Sequence, residues 1–568
     1  MVCCFMATMI HAISSPPARP LPGAVVAAIL VAAIVAAVGT SVWQATQGSS
    51  RSFPAAGGAL RAASPRLFPN AASPLGTNLN GVTYYTSEWP FVDVMKIAGG
   101  PDENDRFGKE NFPWLAQRVE GGPNDTGRRL RLRNGYPALL APGQAAATLI
   151  YHDVRGHYPG GDYTVFFDGN GTLELGGDAT LIRAEPGHLT IRVDPSNGGI
   201  LLRIIATDRK NPLRNIRMIM PGFEETYVTA PFHPLFLERT EKYRVLRFMD
   251  WMGTNNSSQR RWRDRPLPTD STQASPKGVA LEYLIDLANT LHTDPWFTIP
   301  AEADDAYVQQ FAALVADRLD PSLGVYIEYS NEVWNDLFSA AAYARKRGLK
   351  LHLSPDPDLA QSRFYAQRSV EIFNIFENVF GSRERLTRVI GTQVANLEVA
   401  REILEWKNTF KHADALAVAP YFTIDPSTVE DPPSKSDADL FAALRTDIAG
   451  LTDGVQAHVD YARSLGLPVI AYEGGSDLTA FPYPDADTEA VAERFADLSR
   501  APEMKDVYLE YLEAWKSTGA QLFNQFVNVG SWSIYGTWGA LEYQDQDPAT
   551  SPKYQALMEF IDRNPPWW

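Results

Sequence analysis

Cysteine is almost absent from this chain of 568 residues, and the little there is lies at the very start. The two cysteines, Cys3 and Cys4, come before an apolar N-terminal run. The rest of the chain therefore can form no disulfide, has no thiolate nucleophile and has no cysteine-based metal site. Adjacent cysteines beside a membrane segment can be acylated, although two arbitrary N-terminal residues explain them as well.

Basic charge is also scarce, because 51 Lys and Arg face 67 Asp and Glu, a net charge of −16. Nucleic-acid affinity depends on clustered Lys and Arg, so this balance argues against a nucleic-acid partner. Zinc-protease, phosphate-loop, dinucleotide and serine-hydrolase motifs are missing, so no cofactor and no metal are expected. The chain does contain 13 Trp and 23 Tyr, whose rings stack on sugars or fill large cores. A neutral polysaccharide or oligosaccharide is the expected partner.

The long apolar run of the chain lies near the N-terminus, where residues 23–38 carry no charge. With its flanks it approaches the length of a membrane-spanning helix, and Arg19 before it favours a cytoplasmic N-terminus. Residues 1–45 are therefore predicted to be a signal peptide or a signal anchor. Residues 46–74, rich in Ser, Ala, Pro and Gly, are predicted to be a flexible linker. The remainder is expected outside the cytoplasm, either secreted or held by this single anchor.

Alternating strand and helix patterns predict an α/β fold, a (β/α)8 TIM barrel interrupted by an antiparallel β-sandwich. Residues 75–112 are interpreted as the first βα unit, with a strand at 82–85. Residues 113–221, with a DGNG hairpin turn at 168–171, are interpreted as a sandwich inserted after that unit. Residues 222–568 supply seven further units. The alternative is an N-terminal sandwich domain followed by a seven-unit or differently closed barrel.

Two glutamates stand at the ends of predicted barrel strands, where the active sites of such barrels lie. The fourth strand ends in IEYSNEVW, and a two-residue period puts Glu328 and Glu332 on one face with Glu332 at the rim. The seventh strand ends in AYEGG and brings Glu473 to the opposite side of the mouth, before two glycines that would let a substrate approach the backbone. Glycoside hydrolysis needs such a pair, one carboxyl to protonate the leaving oxygen and one to attack the anomeric carbon or activate water.

The strand end from Glu328 to Glu332 resembles the E-x-x-N-E segment of the clan A glycoside hydrolases. The resemblance implies a retaining glycosidase that works by double displacement, with Glu332 as general acid/base and Glu473 as nucleophile. It also implies that Asn331 hydrogen-bonds the 2-hydroxyl of the sugar. It extends over most of the predicted barrel but identifies no family within the clan. The inserted sandwich departs from the clan's common members.

The same resemblance assigns roles to residues on other strands. Arg247 in VLRFMDW matches an arginine near the nucleophile, and Tyr421 in APYFT matches an aromatic residue that can hydrogen-bond it. Trp538 matches the clan's platform tryptophan, with Trp532 as the competing candidate.

Electrostatics supports some of these roles without the resemblance. Partial burial by Trp334 and a negative neighbour would raise the pKa of Glu332, as a general acid requires. Arg247 would keep Glu473 ionised. Glu328 lies below the rim inside the barrel, where a buried carboxylate needs a partner, and Arg247 is the candidate.

Weaker candidates for sugar contacts follow the predicted strands. Each is explained nearly as well by an ordinary polar loop or by a core aromatic residue. The candidates for binding hydroxyl groups are Asp250, Asn255 and Asn256. The candidates for stacking on a sugar ring are Trp251 and Trp334, in preference to Trp89 and Trp262. Gln393, Asn396 and His233 are weaker candidates, and His233 is expected to be structural.

Three functions fit these residues: a retaining glycoside hydrolase, a transglycosylase with the same covalent intermediate, and a non-catalytic carbohydrate-binding protein of the cell surface. The presence of both Glu332 and Glu473 argues against the third, because a decayed site would have lost one of them. The first two differ only in their products. An open aromatic cleft would indicate endo action, and a blocked pocket would indicate exo action.

Overall fold

The structure, a computed structural model, describes residues 68–100, 113–120, 129–483 and 487–568. The predicted export segment, and the predicted linker as far as residue 67, lie outside these ranges. None of the helices in the described ranges is long and apolar enough to cross a membrane.

The described residues form twenty strands, most of them short. In chain order they are β1 (Leu75–Asn78), β2 (Leu115–Arg118), β3 (Arg131–Arg133), β4 (Tyr136–Leu139), β5 (Gln144–Ile150), β6 (Gly161–Asp168), β7 (Gly171–Gly177), β8 (Ala179–Glu185), β9 (His188–Val193), β10 (Ile200–Thr207), β11 (Arg214–Ile219), β12 (Val245–Arg247), β13 (Asp294–Ile299), β14 (Val325–Tyr329), β15 (Leu386–Gly391), β16 (Ala415–Val418), β17 (Tyr421–Phe422), β18 (Val469–Ala471), β19 (Gly475–Ser476) and β20 (Phe523–Gln525).

Eight of these strands close into a parallel barrel in the order β1, β12, β13, β14, β15, β16, β18 and β20. The predicted TIM barrel is therefore confirmed, with β14 as its fourth strand and β18 as its seventh. Alternate residues of the strands point inward and fill the centre with side chains, as expected for this fold. The apolar part of this interior consists of Val245, Trp296, Val389, Ala415, Ala417, Ile470, Tyr472 and Leu522.

Helices on the outside of the barrel return the chain from one strand to the next. They are α1 (Pro234–Thr240), α2 (Leu281–Leu291), α3 (Asp305–Arg318), α4 (Ser339–Lys350), α5 (Pro357–Phe380), α6 (Leu397–Glu405), α7 (Asp437–Ser464), α8 (Thr488–Arg500), α9 (Glu503–Ser517) and α10 (Pro552–Arg563). The sequence explains their ends and faces. In α5 the side chain of Asp356 accepts hydrogen bonds from the first-turn amides, and Gly381 ends the helix in the left-handed conformation. In α2 the buried residues Leu281, Leu284 and Ala288 recur every three or four positions.

The antiparallel part lies between β1 and α1, and it consists of two four-stranded sheets and the hairpin β3–β4. One sheet has the order β2, β5, β10, β7 and the other the order β11, β6, β9, β8. Buried residues alternate with more exposed ones along the strands, as in β6, where Tyr163 and Val165 join the core. The predicted sandwich inserted into the barrel is therefore present.

Three local predictions were wrong. Residues 82–85 form a loop, and the first barrel strand is Leu75–Asn78, too short and too polar to stand out in the sequence. Among the described residues before the sandwich, the short 3-10 turn Val94–Ile97 is the single helical element, so the first α-helix of the barrel that the structure describes is α1, after the sandwich. The DGNG turn does not close a hairpin, because β6 and β7 belong to different sheets. It crosses between the sheets at Gly169, where a Cβ would lie 2.1 Å from the carbonyl oxygen of Pro212.

The chain is packed against the barrel from Phe68 onward, within the segment predicted as linker. The ring of Phe68 stacks on that of His292 at 4.0 Å. The side-chain amide of Asn70 lies 3.2 Å from the carbonyl oxygens of Tyr243 and Leu291, which it holds at the base of the barrel.

Candidate active site

Glu332 lies just beyond the end of β14, on backbone that has left the extended conformation. Ser330 has φ 59° and Glu332 has φ 40°, in a region that residues other than glycine seldom adopt. The predicted two-residue alternation therefore stops at Tyr329, and this strained turn positions the carboxyl group. Its Oε1 accepts a hydrogen bond from the hydroxyl of Tyr472 at 2.8 Å, and its Oε2 accepts one from the side-chain amide of Asn335 at 2.9 Å.

Glu473 lies at the end of β18, and only 5% of its surface is exposed. Its Oε1 accepts a hydrogen bond from Arg247 at 2.6 Å, and its Oε2 accepts one from the hydroxyl of Tyr421 at 2.8 Å. Tyr421 is held there because β17 pairs with β19 above the barrel, with Tyr421 opposite Gly475. Both oxygens of the carboxylate are thus oriented by donors, one of them a full positive charge.

Arg247 is completely buried and connects the side chains of the polar layer that lies above the apolar barrel interior. Besides Glu473 it contacts Glu328, where Nε lies 3.1 Å and Nη2 2.9 Å from Oε2. The same carboxylate accepts a third bond, at 2.8 Å, from the indole of Trp296. The predicted Glu328–Arg247 pair is therefore present. A buried guanidinium needs this number of acceptors, since a buried charge is stable only when it is paired and hydrogen-bonded.

Asn331 and Asn78 are the remaining partners of Arg247. Its Nη2 donates to Oδ1 of Asn331 at 2.7 Å, and its Nη1 donates to Oδ1 of Asn78 at 3.1 Å. Asn331 in turn donates from Nδ2 to Oδ1 of Asn255 at 3.0 Å. The amide of Asn331 is therefore fixed between the second and fourth barrel strands, with its acceptor occupied by the arginine.

The carboxyl groups of the site differ in their tendency to hold a proton. Burial, followed by the negative charge of Glu473, raises the pKa of Glu332 to about 7, against the hydrogen bonds from Asn335 and Tyr472, which lower it. Burial, followed by the charge of Glu473, likewise raises the pKa of Asp250 to about 7. Burial is the largest of these causes, and a contribution of Trp334 to it stays a prediction. Near neutral pH the site thus combines a carboxyl group that can donate a proton with a carboxylate that is paired with arginine.

The structure distinguishes between the two candidates for the platform tryptophan. Trp538 lies edge-to-face with Tyr421, with their ring centres 5.4 Å apart, and its indole nitrogen donates to the carbonyl oxygen of Tyr535. Trp538 is therefore beside the residue that bonds Glu473. Trp532 is buried and contacts Lys553 and Arg500 through its ring, so it belongs to the packing behind the site.

Of the two tryptophans predicted to stack on sugar, Trp251 is not placed to do so, whereas stacking by Trp334 stays a prediction. Trp251 is completely buried against Phe91, Phe236 and Phe248, and its indole nitrogen donates to the carbonyl oxygen of Asn80. It is part of the core, because the chain turns away from the rim directly after Asp250. Trp334 is half-buried, and its indole nitrogen is enclosed without a hydrogen-bond partner in the described ranges.

The two glycines after Glu473 serve internal packing rather than the approach of a substrate. A Cβ on Gly474 would lie 2.8 Å from the ring of Phe523, and one on Gly475 would lie 2.9 Å from the side-chain amide of Gln525. Both contacts are with β20, the neighbouring strand of the barrel. The glycines therefore let β20 pack closely against the strand end that carries Glu473.

The weaker candidates prove to be mostly structural. His233 accepts a hydrogen bond from the amide of Leu235 at the start of α1, and burial lowers its pKa to about 4. Asn396 caps α6, and Asn256 accepts a hydrogen bond from the amide of Ser339. Trp89 is buried, and Trp262 stacks on Arg265. Within the described ranges Gln393 forms no hydrogen bond with Glu332 or Glu473, and Asn255 is connected to them only through Asn331.

Sequence reasoning missed the two residues that hold Glu332. Tyr472 is adjacent to Glu473, but the strand alternation directs its side chain into the barrel and thence to the opposite glutamate. Its ring also lies under Arg247, 5.0 Å from the guanidinium carbon. Asn335 follows Glu332 by three residues in a loop whose turn brings the amide back to the carboxylate. The three-residue spacing between Glu332 and Asn335 is the feature of the sequence that could have indicated this contact. Within the described ranges no group of three or more His, Cys, Asp and Glu side chains is placed to hold a metal ion.

No protein-family model matches the chain, and no curated protein is similar to it in sequence. Solved structures of similar fold include the GH51 arabinofuranosidase from Xanthomonas axonopodis pv. citri, with a TM-score of 0.40 and 9% identity over 60% of this chain and 69% of that one. The CBM22-1–GH10 modules of endo-1,4-beta-D-xylanase 10B from Clostridium thermocellum, complexed with xylohexaose, have a TM-score of 0.34 and 10% identity over 84% of this chain and 97% of that one. A Bacteroidetes-affiliated GH5 cellulase has a TM-score of 0.32 and 12% identity over 59% and 91%. At these values the likeness concerns the fold alone.

Proposed function

We propose that the protein is a retaining glycoside hydrolase of the clan A type, which cleaves a neutral polysaccharide or oligosaccharide. The observation that supports this most is the contrast between its two glutamates. Glu332, with a pKa of about 7, is suited to donate a proton. Glu473 is held by Arg247 and Tyr421 as an oriented carboxylate. They stand on the fourth and seventh barrel strands, where a bound glycosidic bond would lie between them.

In the first step Glu332 transfers its proton to the glycosidic oxygen while Glu473 attacks the anomeric carbon. The bond between the anomeric carbon and the glycosidic oxygen breaks, its electron pair stays on the oxygen, and the leaving sugar departs as an alcohol. The glycosyl unit is then an ester of Glu473.

In the second step Glu332, now a carboxylate, removes a proton from water, and the water oxygen attacks the anomeric carbon. The ester bond breaks, Glu473 becomes a carboxylate again, and Glu332 regains its proton. The site favours this exchange of roles. In the free enzyme the negative charge of Glu473 raises the pKa of Glu332, and esterification of Glu473 removes that charge and so lowers the pKa again. Glu332 is thus a weaker acid in the first step and a better-stabilised carboxylate in the second.

Two neighbours would orient the sugar. Asn331 is fixed by Arg247 and Asn255, so its amide would meet the 2-hydroxyl without losing rotamer freedom. Trp538 packs edge-to-face against Tyr421, where its indole face would lie beneath the sugar ring.

The first test is a screen of the purified full-length protein against aryl glycosides and neutral polysaccharides, together with Glu332→Gln and Glu473→Gln. Each substitution removes one ionisable carboxyl group and keeps its shape. We expect cleavage by the wild type and a loss of at least about a thousandfold in each variant. Activity that survives both substitutions would refute the assignment of the pair.

The second test separates the two roles. Sodium azide should restore activity to Glu473→Ala and give a glycosyl azide of inverted configuration, because azide replaces the nucleophile. With Glu332→Ala the azide should attack the covalent intermediate and give a product of retained configuration, provided that the leaving group is activated. The first-formed sugar of the wild type, observed by NMR, should retain the anomeric configuration. An inverted product would leave a glycosidase but exclude the double displacement.

We also propose that the enzyme works outside the cytoplasm, because residues 1–45 have the charge and apolar pattern of an export segment. Cell fractionation of the full-length chain and of a chain without residues 1–45 tests this. Retention of both chains in the cytoplasm would refute it.

A further inference from the structure

A cleft of about 380 Å³ opens at the carboxyl ends of β1 and β12, on the same side of the barrel as the two glutamates. We call it the tyrosine cleft. One wall is residues 81–85, the other is residues 273–276 with 278–279, and the floor is Asp250 and Trp251. Its volume lies within the range of roughly 300–1,000 Å³ that is usual for small-ligand sites.

Asp250 connects the tyrosine cleft with the catalytic pair. Its carboxyl group lines the cleft and is near enough to Glu473 to feel its charge. Asp250 is partly exposed to the cleft, and no residue in the described ranges forms a hydrogen bond with its carboxyl group. Its oxygens can therefore accept hydrogen bonds from a ligand that displaces water from the cleft. Hydroxyl groups are suitable donors, whereas an anionic ligand would be repelled by Glu473 and, above about pH 7, by Asp250 as well.

The wall formed by residues 81–85 offers aromatic faces to a ligand. Tyr84 and Tyr85 both line the tyrosine cleft, and 52% of the surface of Tyr85 is exposed. Their rings stand edge-to-face, with centres 5.0 Å apart. Aromatic faces beside a hydroxyl acceptor suit a sugar ring, which has apolar C–H faces and a polar edge.

Both walls are attached to one short segment, residues 96–99, which leads into the inserted sandwich. On one side the amide of Gln273 donates to the carbonyl oxygen of Lys96 at 2.7 Å. On the other side a Cβ on Gly99 would lie 2.6 Å from the ring of Tyr84, so that ring rests on the Gly99 backbone. Gly99 exchanges hydrogen bonds of 3.0 and 2.8 Å with Leu149 of β5. The sandwich therefore holds the segment that positions both walls.

We propose that the tyrosine cleft is a second sugar subsite, adjacent to the unit whose bond is cleaved, where Asp250 accepts hydrogen bonds from the hydroxyls of a neutral sugar. The inserted sandwich acts as the support of this subsite. This inference rests on the proposed glycosidase function. It makes the substrate a neutral oligosaccharide or polysaccharide of at least two units, and it excludes a uronic acid at this position.

The experiment measures kcat and KM of the full-length protein on the substrate found by the screen, in a series of one to six sugar units. The variants are Asp250→Asn, which removes the acceptor charge, and Gly99→Ala, which displaces Tyr84 without touching Asp250. The matched control is Asp336→Asn, the same charge change on an exposed aspartate that pairs with Arg345 outside the cleft.

We expect kcat/KM of the wild type to rise when the substrate is lengthened from one unit to two or three. Asp250→Asn should lower kcat/KM for the longer substrates by about 10- to 100-fold, mainly through KM. The loss on the one-unit aryl glycoside should be smaller than the loss on the longer substrates. Gly99→Ala should act in the same direction, and Asp336→Asn should match the wild type. Equal losses at all chain lengths, or no gain with length in the wild type, would overturn the subsite.

Calorimetric titration of Glu332→Gln with the same sugars distinguishes this failure from a failure of the proposed function. The subsite would be upheld, even without hydrolysis, if binding strengthens with chain length and weakens when Asp250→Asn is combined with Glu332→Gln. Hydrolysis by the wild type without any such dependence would uphold the enzyme and refute the subsite.

Discussion

The hydroxyl of Tyr472 donates a hydrogen bond of 2.8 Å to Oε1 of Glu332, across the mouth of the barrel. Tyr472 precedes Glu473 in the chain, so the residue next to one glutamate holds the other. Its ring is also in contact with Arg247, which bonds Glu473. This single side chain thus couples the position of both carboxyl groups, and the first two predictions concern its effect.

The first prediction is the pH dependence of the enzyme. The pKa of Glu332 is raised to about 7, so the carboxyl group is protonated below that pH and ionised above it. Because the first step needs the protonated form, kcat/KM should fall tenfold per pH unit as the pH rises well above 7. The measurement is kcat/KM on an unactivated substrate from pH 4 to 10. A profile that stays flat to pH 9 would contradict the role of Glu332 as acid.

The second prediction concerns Tyr472→Phe, which removes the hydroxyl but keeps the ring under Arg247. The hydrogen bond from Tyr472 stabilises the ionised form of Glu332. Its loss should therefore raise the pKa of Glu332 and move the alkaline limb of the pH profile upward by roughly one pH unit. The control is Tyr461→Phe, which removes a hydroxyl that donates to Glu405 far from the site and should leave the profile unchanged. A downward shift of the alkaline limb in Tyr472→Phe would show that the hydrogen bond stabilises the protonated form of Glu332 instead.

The third prediction concerns the charges below the rim. Arg247→Met leaves Glu328 and Glu473 without their counter-ion in a buried place, and should lower the free energy of unfolding by about 3–5 kcal/mol. Adding Glu328→Gln removes one of the uncompensated charges, so the double variant should be more stable than Arg247→Met alone. Urea unfolding of the four proteins in this cycle measures the coupling. Simple additivity of the two losses would mean that the pair does not interact as described.

The fourth prediction concerns the packing of the barrel interior. A Cβ on Gly76 would lie 1.8 Å from Oδ1 of Asn524 and 2.7 Å from the carbonyl oxygen of Val245. Gly76→Ala should therefore destabilise the barrel by about 1–3 kcal/mol or more. The control is Gly450→Ala in the exposed part of α7, where a Cβ meets nothing within 4 Å and should stabilise the helix by roughly 0.5–1 kcal/mol. Melting temperatures that move in the same direction for both variants would contradict this.

The barrel was predictable because most of its strands are compact apolar runs that alternate with amphipathic helices. DPWFTI, for example, became β13 with every residue after the first buried. Three helices were missed, namely α1, α4 and α8. Pro234–Thr240 is short, and Ser339–Lys350 and Thr488–Arg500 carry many charges and bury only a narrow face. The first strand was misplaced because LGTN has little strand character by itself, and only its pairing with β12 and β20 makes it one.

The site was predictable where a residue stands in strand register, and not where side chains cross the barrel. Arg247 was expected near the nucleophile, and the structure brings it within 2.6 Å of Glu473. Trp251 was expected at the rim, but it points into the core, since the direction of a side chain after the last strand residue depends on how the loop turns.

The class of fold, the interruption by antiparallel strands and the two glutamates at the ends of the fourth and seventh strands could be read from the sequence, because they depend on local periodicity and on the order of elements. The bond from Tyr472 to Glu332, the distances between Arg247 and its two carboxylates, and the contact of the tyrosine cleft with the sandwich through Gly99 depend on the folded structure. These contacts join residues far apart in the chain, up to 226 positions for Arg247 and Glu473. Their distances, and the desolvation that raises the pKa of Glu332, exist only once the barrel is closed and water is excluded from its mouth.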